Sequence, residues 1–215
     1  MKSENAILLN PELPKSVMVG SSELPVRWGF RTGMRIDCMR FDKRKTDAEN
    51  LADMINTFYI NPAQALSDDP QKAVDAMLGF FSRGSYKTPA KDDGGQEGTK
   101  AQMPRAYDFA QDADTILGDF LSNYGMMLNR MDDEDLHWWE FVALLSGLPD
   151  KSTIRTYMYY RTCPLQGLSK SEQRRIRKMR AKIRIREDYE DRELSQAKRL
   201  EKRNERWLAI AKEYS

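Results

Sequence analysis

The ten residues LHWWEFVALL, from Leu136 to Leu145, constrain the fold more than any other stretch, because only His137 and Glu140 interrupt a run of apolar side chains. A helix that is apolar nearly all round must meet neighbours on more than one side. The flanking residues supply two of them. Upstream, Phe109, Ala113, Ile116, Leu117, Phe120, Leu121 and Tyr124 fall on one helical face, Asp108 and Gln111 have capping-box spacing, and Gly125 marks a left-handed stop. Asp132 is placed to cap the central helix, with Asp133, Glu134 and Asp135 in a first turn where the helix dipole favours negative charge. Gly147 and Pro149 end that helix. Ser152 then caps a third, which carries Ile154, Tyr157, Met158 and Arg161 and closes at Cys163 and Pro164.

The N-terminal half is less strongly marked. Ser16 to Val19 and Leu24 to Arg27 read as two short strands joined by a four-residue loop, Gly20 to Glu23. Such a ribbon is marginal alone, so Val17, Val19, Leu24, Val26 and Trp28 need helices to lie against. In GFRTGMRIDCMRFDKR the spacing puts Met34, Cys38 and Phe41 on one helical face, with Gly33 leaving the start of the helix open. Thr46 and Glu49 form a capping box for a helix with Leu51, Met54, Ile55 and Phe58. Asp69 followed by Pro70 starts another, with Val74, Met77, Leu78 and Phe81 on its face. From Ser85 to Arg105 breakers dominate, large apolar residues are nearly missing and no periodicity survives, which reads as a flexible loop joining two halves that share one core.

Beyond Pro164 the pattern changes. Ser169 and Glu172 make a capping box, and neither proline nor glycine follows, so one helix is expected from Lys170 towards Tyr214, on the order of 65 Å long. The fold class is therefore mainly α: a helical body with a small N-terminal β-hairpin over residues 1–168, and a long basic C-terminal helix over residues 169–215. Residues 169–215 carry sixteen Lys and Arg against nine Asp and Glu, so a net charge of only +2 hides an acidic body and a basic tail. Gln173 to Arg186 holds eight basic residues and no acid, above an apolar stripe of Ile176, Met179 and Ile183. Further on, Ala197, Leu200, Asn204, Trp207, Ala211 and Tyr214 step by threes and fours as a heptad seam.

No enzyme chemistry is evident. The two cysteines, Cys38 and Cys163, lack metal-ligand spacing, His137 is the sole histidine, and no nucleophile is paired with a base. No catalytic, cofactor-binding or metal site is expected. His137 reads as a packed or helix-edge side chain, Trp138 and Trp139 as core, and the acidic run at Asp132 as capping. No apolar run is long enough to span a membrane. The basic run has three readings: a solvated face, a docking surface for a protein partner, or a small nucleic-acid-binding module, the last disfavoured because no recognised module and no interleaved aromatics accompany it.

The runs YDFAQDADTILGDFLSNYG, LHWWEFVALLSGLP and YMYYRT, with the Val-x-Val-Gly hairpin, Phe30-Arg31-Thr32 and LGFFSRG from Leu78 to Gly84, resemble the bacteriophage gene-product-fifteen family over roughly residues 13–185. Its members lie in the tail gene cluster of siphophages and prophages, between the major tail protein and the tape measure protein, where tail assembly chaperones are encoded. The resemblance implies a non-enzymatic tail assembly factor that binds the tape measure protein or tail tube protein, acts in the host bacterial cytoplasm and is absent from the mature virion. A structural component of the mature tail is the alternative. Arg177, Arg180, Arg184, Leu200 and Trp207 are the candidate partner-binding residues, with homo-oligomerisation a second use of the same helix. The Trp207 to Tyr214 extension departs from the family's length, so its role is not inherited.

Limited proteolysis is expected to cut first at Lys87, Lys91 or Lys100, because that segment has too little apolar surface to offset the entropy of ordering it. Resistance at all three sites with early cleavage elsewhere would count against the loop.

Overall fold

A hairpin and eight α-helices follow one another in the computed structural model, which describes residues 12–83 and 105–186. The order is β1 (Ser16–Val19), β2 (Ser22–Pro25), α1 (Phe30–Met39), α2 (Asp47–Phe58), α3 (Pro62–Asp68), α4 (Pro70–Phe81), α5 (Ala113–Tyr124), α6 (Trp138–Gly147), α7 (Thr153–Thr162) and α8 (Lys170–Ile183). Two 3-10 turns, Leu128–Arg130 and Asp133–Asp135, lie between α5 and α6. The architecture is mainly helical with a small antiparallel hairpin, as the sequence indicates. The chain divides into two units, residues 1–183 and 184–215, and only residues 184–186 of the second are described. The segment read as a loop therefore lies outside the described residues apart from Arg105, and the seam of Leu200 and Trp207 lies wholly outside them.

Helix α6 sits where the aromatic side chains of both halves converge. Phe141 meets Phe30, Phe109, Phe120 and Trp138 at ring separations of 5.3 to 5.9 Å. Trp138 meets Phe81, and Trp139 meets Phe80 while its Nε1 donates to the Phe80 carbonyl at 2.8 Å. Both tryptophans are buried, and one continuous core runs from Val19 of the hairpin to Ile154 of α7. This is the enclosure that the composition of LHWWEFVALL requires. Around it, β1 packs on α4, α1 on both α2 and α6, α5 on α7, and α7 on α8. No described helix is long and apolar enough to cross a membrane.

Several boundaries differ from the sequence reading, each for a local reason. The hairpin closes through two residues, Gly20 and Ser21, with Val19 opposite Ser22, because Gly20 adopts φ +61 at the position where tight hairpins favour glycine. On α1 the buried face is Phe30, Gly33 and Ile36, while Met34 and Cys38 are half-buried and Phe41 is exposed under the Arg105 guanidinium. Gly33 selects that face: a Cβ there would lie 2.0 Å from the Trp138 ring, so only glycine lets α1 and α6 approach this closely. On α4 the expected face of Val74, Met77, Leu78 and Phe81 is only partly right: Met77 is fully buried and Val74 and Phe81 pack half-buried against the core, but the other fully buried positions are Ala73 and Phe80. The short α3, not foreseen, begins at Asn61-Pro62, a cap and first-turn proline in sequence.

The central helix begins later than Asp132 implies. Asp132 and Asp135 cap each other within the short acidic turn, and α6 starts only at Trp138, with His137 as its N-cap. The His137 Nδ1 accepts from the Trp139 amide at 3.0 Å, so Nε2 carries the proton and donates to the Pro14 carbonyl, also at 3.0 Å. Glu140 completes the capping box by accepting from the His137 amide. Burial holds the imidazole below its usual value near 6.5, against smaller opposing effects of the Pro14 carbonyl and Glu140.

Three outcomes follow from this core. Trp139→Ala should cost roughly 3–5 kcal/mol, since it empties an enclosed aromatic site; a melting temperature within a degree or two of the parent would place Trp139 at the surface. Gly33→Ala should cost at least about 1–3 kcal/mol by overpacking against Trp138. The depressed His137 value means that the unfolded chain binds the proton first as pH falls. Stability from this site is therefore complete above the unfolded value, near 6.5, and declines as pH drops towards the folded one. Thermal melts of the parent and of His137→Asn, which keeps a capping oxygen, should diverge in that window and run parallel above it.

Candidate interaction surface

The basic C-terminal segment is built onto the body before it presents any charge. Ser169 and Glu172 form the expected cap of α8: the Ser169 amide and hydroxyl donate to the Glu172 carboxylate, and the Glu172 amide donates back to the Ser169 hydroxyl. Ile176 is buried, Met179 and Ile183 are half-buried beside it, and this stripe faces α7. Two arginines then lock the helix pair end to end. Arg180 of α8 donates through Nε to the Tyr160 carbonyl at 2.7 Å and through Nη2 to the Cys163 carbonyl, at the C-terminus of α7. Arg161 of α7 donates through Nε to the Ile183 carbonyl at 2.7 Å, at the C-terminus of α8. Each helix thus supplies the cation that satisfies the other's orphan carbonyls.

Arg161 does more than this. Its Nη1 and Nη2 meet Asp112 at 2.5 and 2.9 Å in a bidentate pair, both side chains almost wholly buried, and Nη1 also donates to the Ala106 carbonyl at 3.1 Å. A buried pair of this kind is held by its geometry, and removing one partner strands the other. It also explains where α5 begins. Asp108 accepts from the amides of Ala110 and Gln111, as its spacing suggests, but this caps a separate turn. The helix itself starts at Ala113 behind Asp112, whose carboxylate accepts from Arg161 and from the Asp108 amide and makes no side-chain cap.

The N-terminus of α7 is likewise capped from a distance. Ser152 occupies the N-cap position without a side-chain cap, and Asp119 of α5 accepts from the amides of Thr153 and Ile154 at 3.1 and 2.7 Å.

The candidate residues consequently separate into three groups. Arg180 is spent on α7 and is half-buried. Arg177 is exposed and bonded only along its own helix in the contacts seen, to Gln173 at 3.3 Å. Arg184 lies beyond the end of α8: the helix expected to continue towards Tyr214 stops at Ile183, whose carbonyl is taken by Arg161, and residues 184–186 are not helical. Leu200 and Trp207 lie outside the described residues. The outward face instead carries Arg174, Arg175, Lys178 and Lys182, which the sequence reading counted without singling out. Beside Arg175 stands Tyr159, 55% exposed, its phenol pushed above the ordinary value mainly by a hydrogen bond with Cys163. Among the described residues no cluster of His, Cys, Asp and Glu is arranged to hold a metal ion.

Phe30-Arg31-Thr32, one of the motifs behind the resemblance, also acquires a structural role. Asp133 accepts from the Arg31 and Thr32 amides at 2.6 and 3.1 Å and from the Thr32 hydroxyl at 2.6 Å, while Arg31 donates to the Leu128 and Met131 carbonyls. The family model for bacteriophage Gp15 protein matches residues 9–185, which include this site, the hairpin and α8. The chain belongs to the bacteriophage Gp15 protein family. No curated protein and no solved structure matches it. Within this Gp15 family chain, the match ends two residues past Ile183, so the reciprocal arginine clasp falls inside the family region.

Arg161→Met should destabilise the protein by roughly 3–5 kcal/mol, because it leaves Asp112 buried and uncompensated. The double variant Arg161→Met with Asp112→Leu should recover a large part of that loss in denaturant titrations. A double variant no better than the single one would show that the hydrogen bonds to Ala106 and Ile183, and not the ion pair, carry the effect.

Proposed function

We propose that the protein is a tail assembly factor, a tail assembly chaperone that binds the tape measure protein or tail tube subunits before or during tube polymerisation. The observation that carries this reading is membership of the Gp15 family over residues 9–185, together with the tail-gene placement that the resemblance implies. The physical task suits a helical protein. A tape measure protein is a long helical chain whose apolar stripes aggregate if left bare, and covering them calls for grooves and amphipathic faces.

Two surface features support the proposal. A shallow groove of about 230 Å³ runs between β1 and α4, lined by Val17, Met18, Ala76, Gly79 and Phe80, with Met18 58% exposed at its edge. Gly79 has open space where a Cβ would stand, so an apolar side chain of a partner helix has room against α4. The cationic face of α8 then supplies charge steering towards an acidic partner segment.

Co-expression with the neighbouring tape measure or tube protein, followed by pull-down, should recover a complex, and Gly79→Leu should weaken it. Mass spectrometry of purified virions should find the protein missing. Its presence there at a fixed stoichiometry would identify a structural tail component instead.

A further inference from the structure

Charge in the second half of the chain is segregated by sequence and by fold. Residues 106–150 hold ten Asp and Glu and a single basic residue, Arg130, whereas residues 151–186 hold twelve Lys and Arg and a single acid, Glu172. Part of each block is used internally: Asp112, Asp119 and Asp133 are bonded as described, and Arg161 and Arg180 close the helix ends. Among the exposed charges that remain, two groups stand on separate elements. On α8, Arg175, Lys178 and Lys182 form one exposed row about 10 Å long, with Tyr159 beside Arg175. On the 3-10 turn before α6, Asp132, Glu134 and Asp135 are exposed. Next to that turn a cleft of about 350 Å³ is lined by Arg27, Trp28, Asp133, Glu134 and Ile60, the last 54% exposed; the Arg27 guanidinium is turned to the Asn56, Thr57 and Tyr59 carbonyls at the end of α2.

We propose that the protein self-associates head to tail, the Tyr159 and α8 cationic face of one copy docking on the acidic turn and its adjoining cleft in the next. The second copy is favoured over nucleic acid by the charge balance. With a net charge of +2 and an acidic block in the same body as the basic one, the chain offers a polyanion little long-range attraction. An identical copy presents the opposite block at the same local concentration. Tyrosine and arginine are also the side chains that anchor protein interfaces. Because the two faces differ, the contact is heterologous and closes into a ring or propagates. It does not rest on the tail-assembly reading: a protein without a tail partner still associates, and one with a tail partner need not.

The test is sedimentation velocity of the full chain at low and high salt. The wild type should associate in a concentration-dependent way at about 0.05 M salt and be monomeric at about 0.5 M, where the screening length falls to a few ångströms. Arg175→Glu with Lys178→Glu and Lys182→Glu should be monomeric at both. So should Asp132→Asn with Glu134→Lys and Asp135→Asn, in which the asparagines keep the acceptors of the turn. An equimolar mixture of the two variants should associate again, because each retains the face the other has lost. Circular dichroism matching the wild type shows both variants folded; should either unfold, Lys178→Glu and Glu134→Lys alone take their places in the same mixing experiment. A wild type that stays monomeric at low salt up to about 200 µM, or a mixture no larger than its components, overturns the proposal. Retardation of a single-stranded oligonucleotide by a monomeric wild type, lost in the Arg175, Lys178 and Lys182 variant, would assign the cationic face to nucleic acid.

Discussion

One carboxylate ties the two halves of this protein together. Asp133 lies about a hundred residues from the helix it caps, yet it takes the first two free amides of α1 and the Thr32 hydroxyl. Gly29, the N-cap residue of α1, has no side chain to serve its own helix, and a Cβ there would stand 2.2 Å from the Asp133 carbonyl oxygen. Glycine therefore permits the approach, and the remote aspartate supplies what glycine lacks. Arg31 completes the joint by donating to the carbonyls of Leu128 and Met131, on the same connection that delivers Asp133. Two further links flank it: the Phe30 amide donates to the Leu136 carbonyl and the Trp138 amide to the Trp28 carbonyl. The position of α6 against α1, and with it the whole aromatic core, depends on this joint.

The same device recurs. Asp119 caps α7, Arg180 closes α7, Arg161 closes α8, and Arg27 donates to the carbonyls of Asn56, Thr57 and Tyr59 at the end of α2. In each case a charge on one element satisfies backbone groups at the end of another. A hydrogen bond between a charged and a neutral group is stronger than a neutral pair, and each one also fixes the relative position of two elements. Short helices of ten to fourteen residues, marginal alone in water, are held in this way by their neighbours as much as by their own propensities.

This explains what the sequence made legible. Local devices were readable because both partners lie within a few residues: the Thr46–Glu49 box, the Asp69–Pro70 start, the Gly125 stop and the Ser169–Glu172 cap all stand as their spacing implies. The enclosure of LHWWEFVALL was readable from composition alone. Asp112 and Asp133 were not, because an aspartate near a helix start serves its own helix or a distant one with the same spacing, and Asp119 was not, because nothing local to a residue inside α5 shows that it caps α7. The inward turn of Arg180 on α8 was hidden for a similar reason, while Arg177 and Arg184 are exposed. Periodicity separates Ile176 from its neighbours, but only the position of the α7 C-terminus turns Arg180 inward and leaves Arg175, Lys178 and Lys182 outside. His137 carried a local signal, its spacing to Glu140, although histidine is a rare choice for an N-cap.

The central place of α6 also sets the order in which this chain can become a protein during synthesis. Phe30, Phe58 and Phe80 are made early, and the helix that packs against Phe30 and Phe80 begins 57 residues after α4 ends. At a synthesis rate of about 5–20 residues per second, the N-terminal half waits on the order of several seconds with its aromatic faces uncovered. During that wait α1 to α4 can pack on one another around Phe58 and Tyr59, but the Asp133 joint and the Trp138 seat at Gly33 arrive together only at its end, so the first half gains its α6-facing contacts in one step.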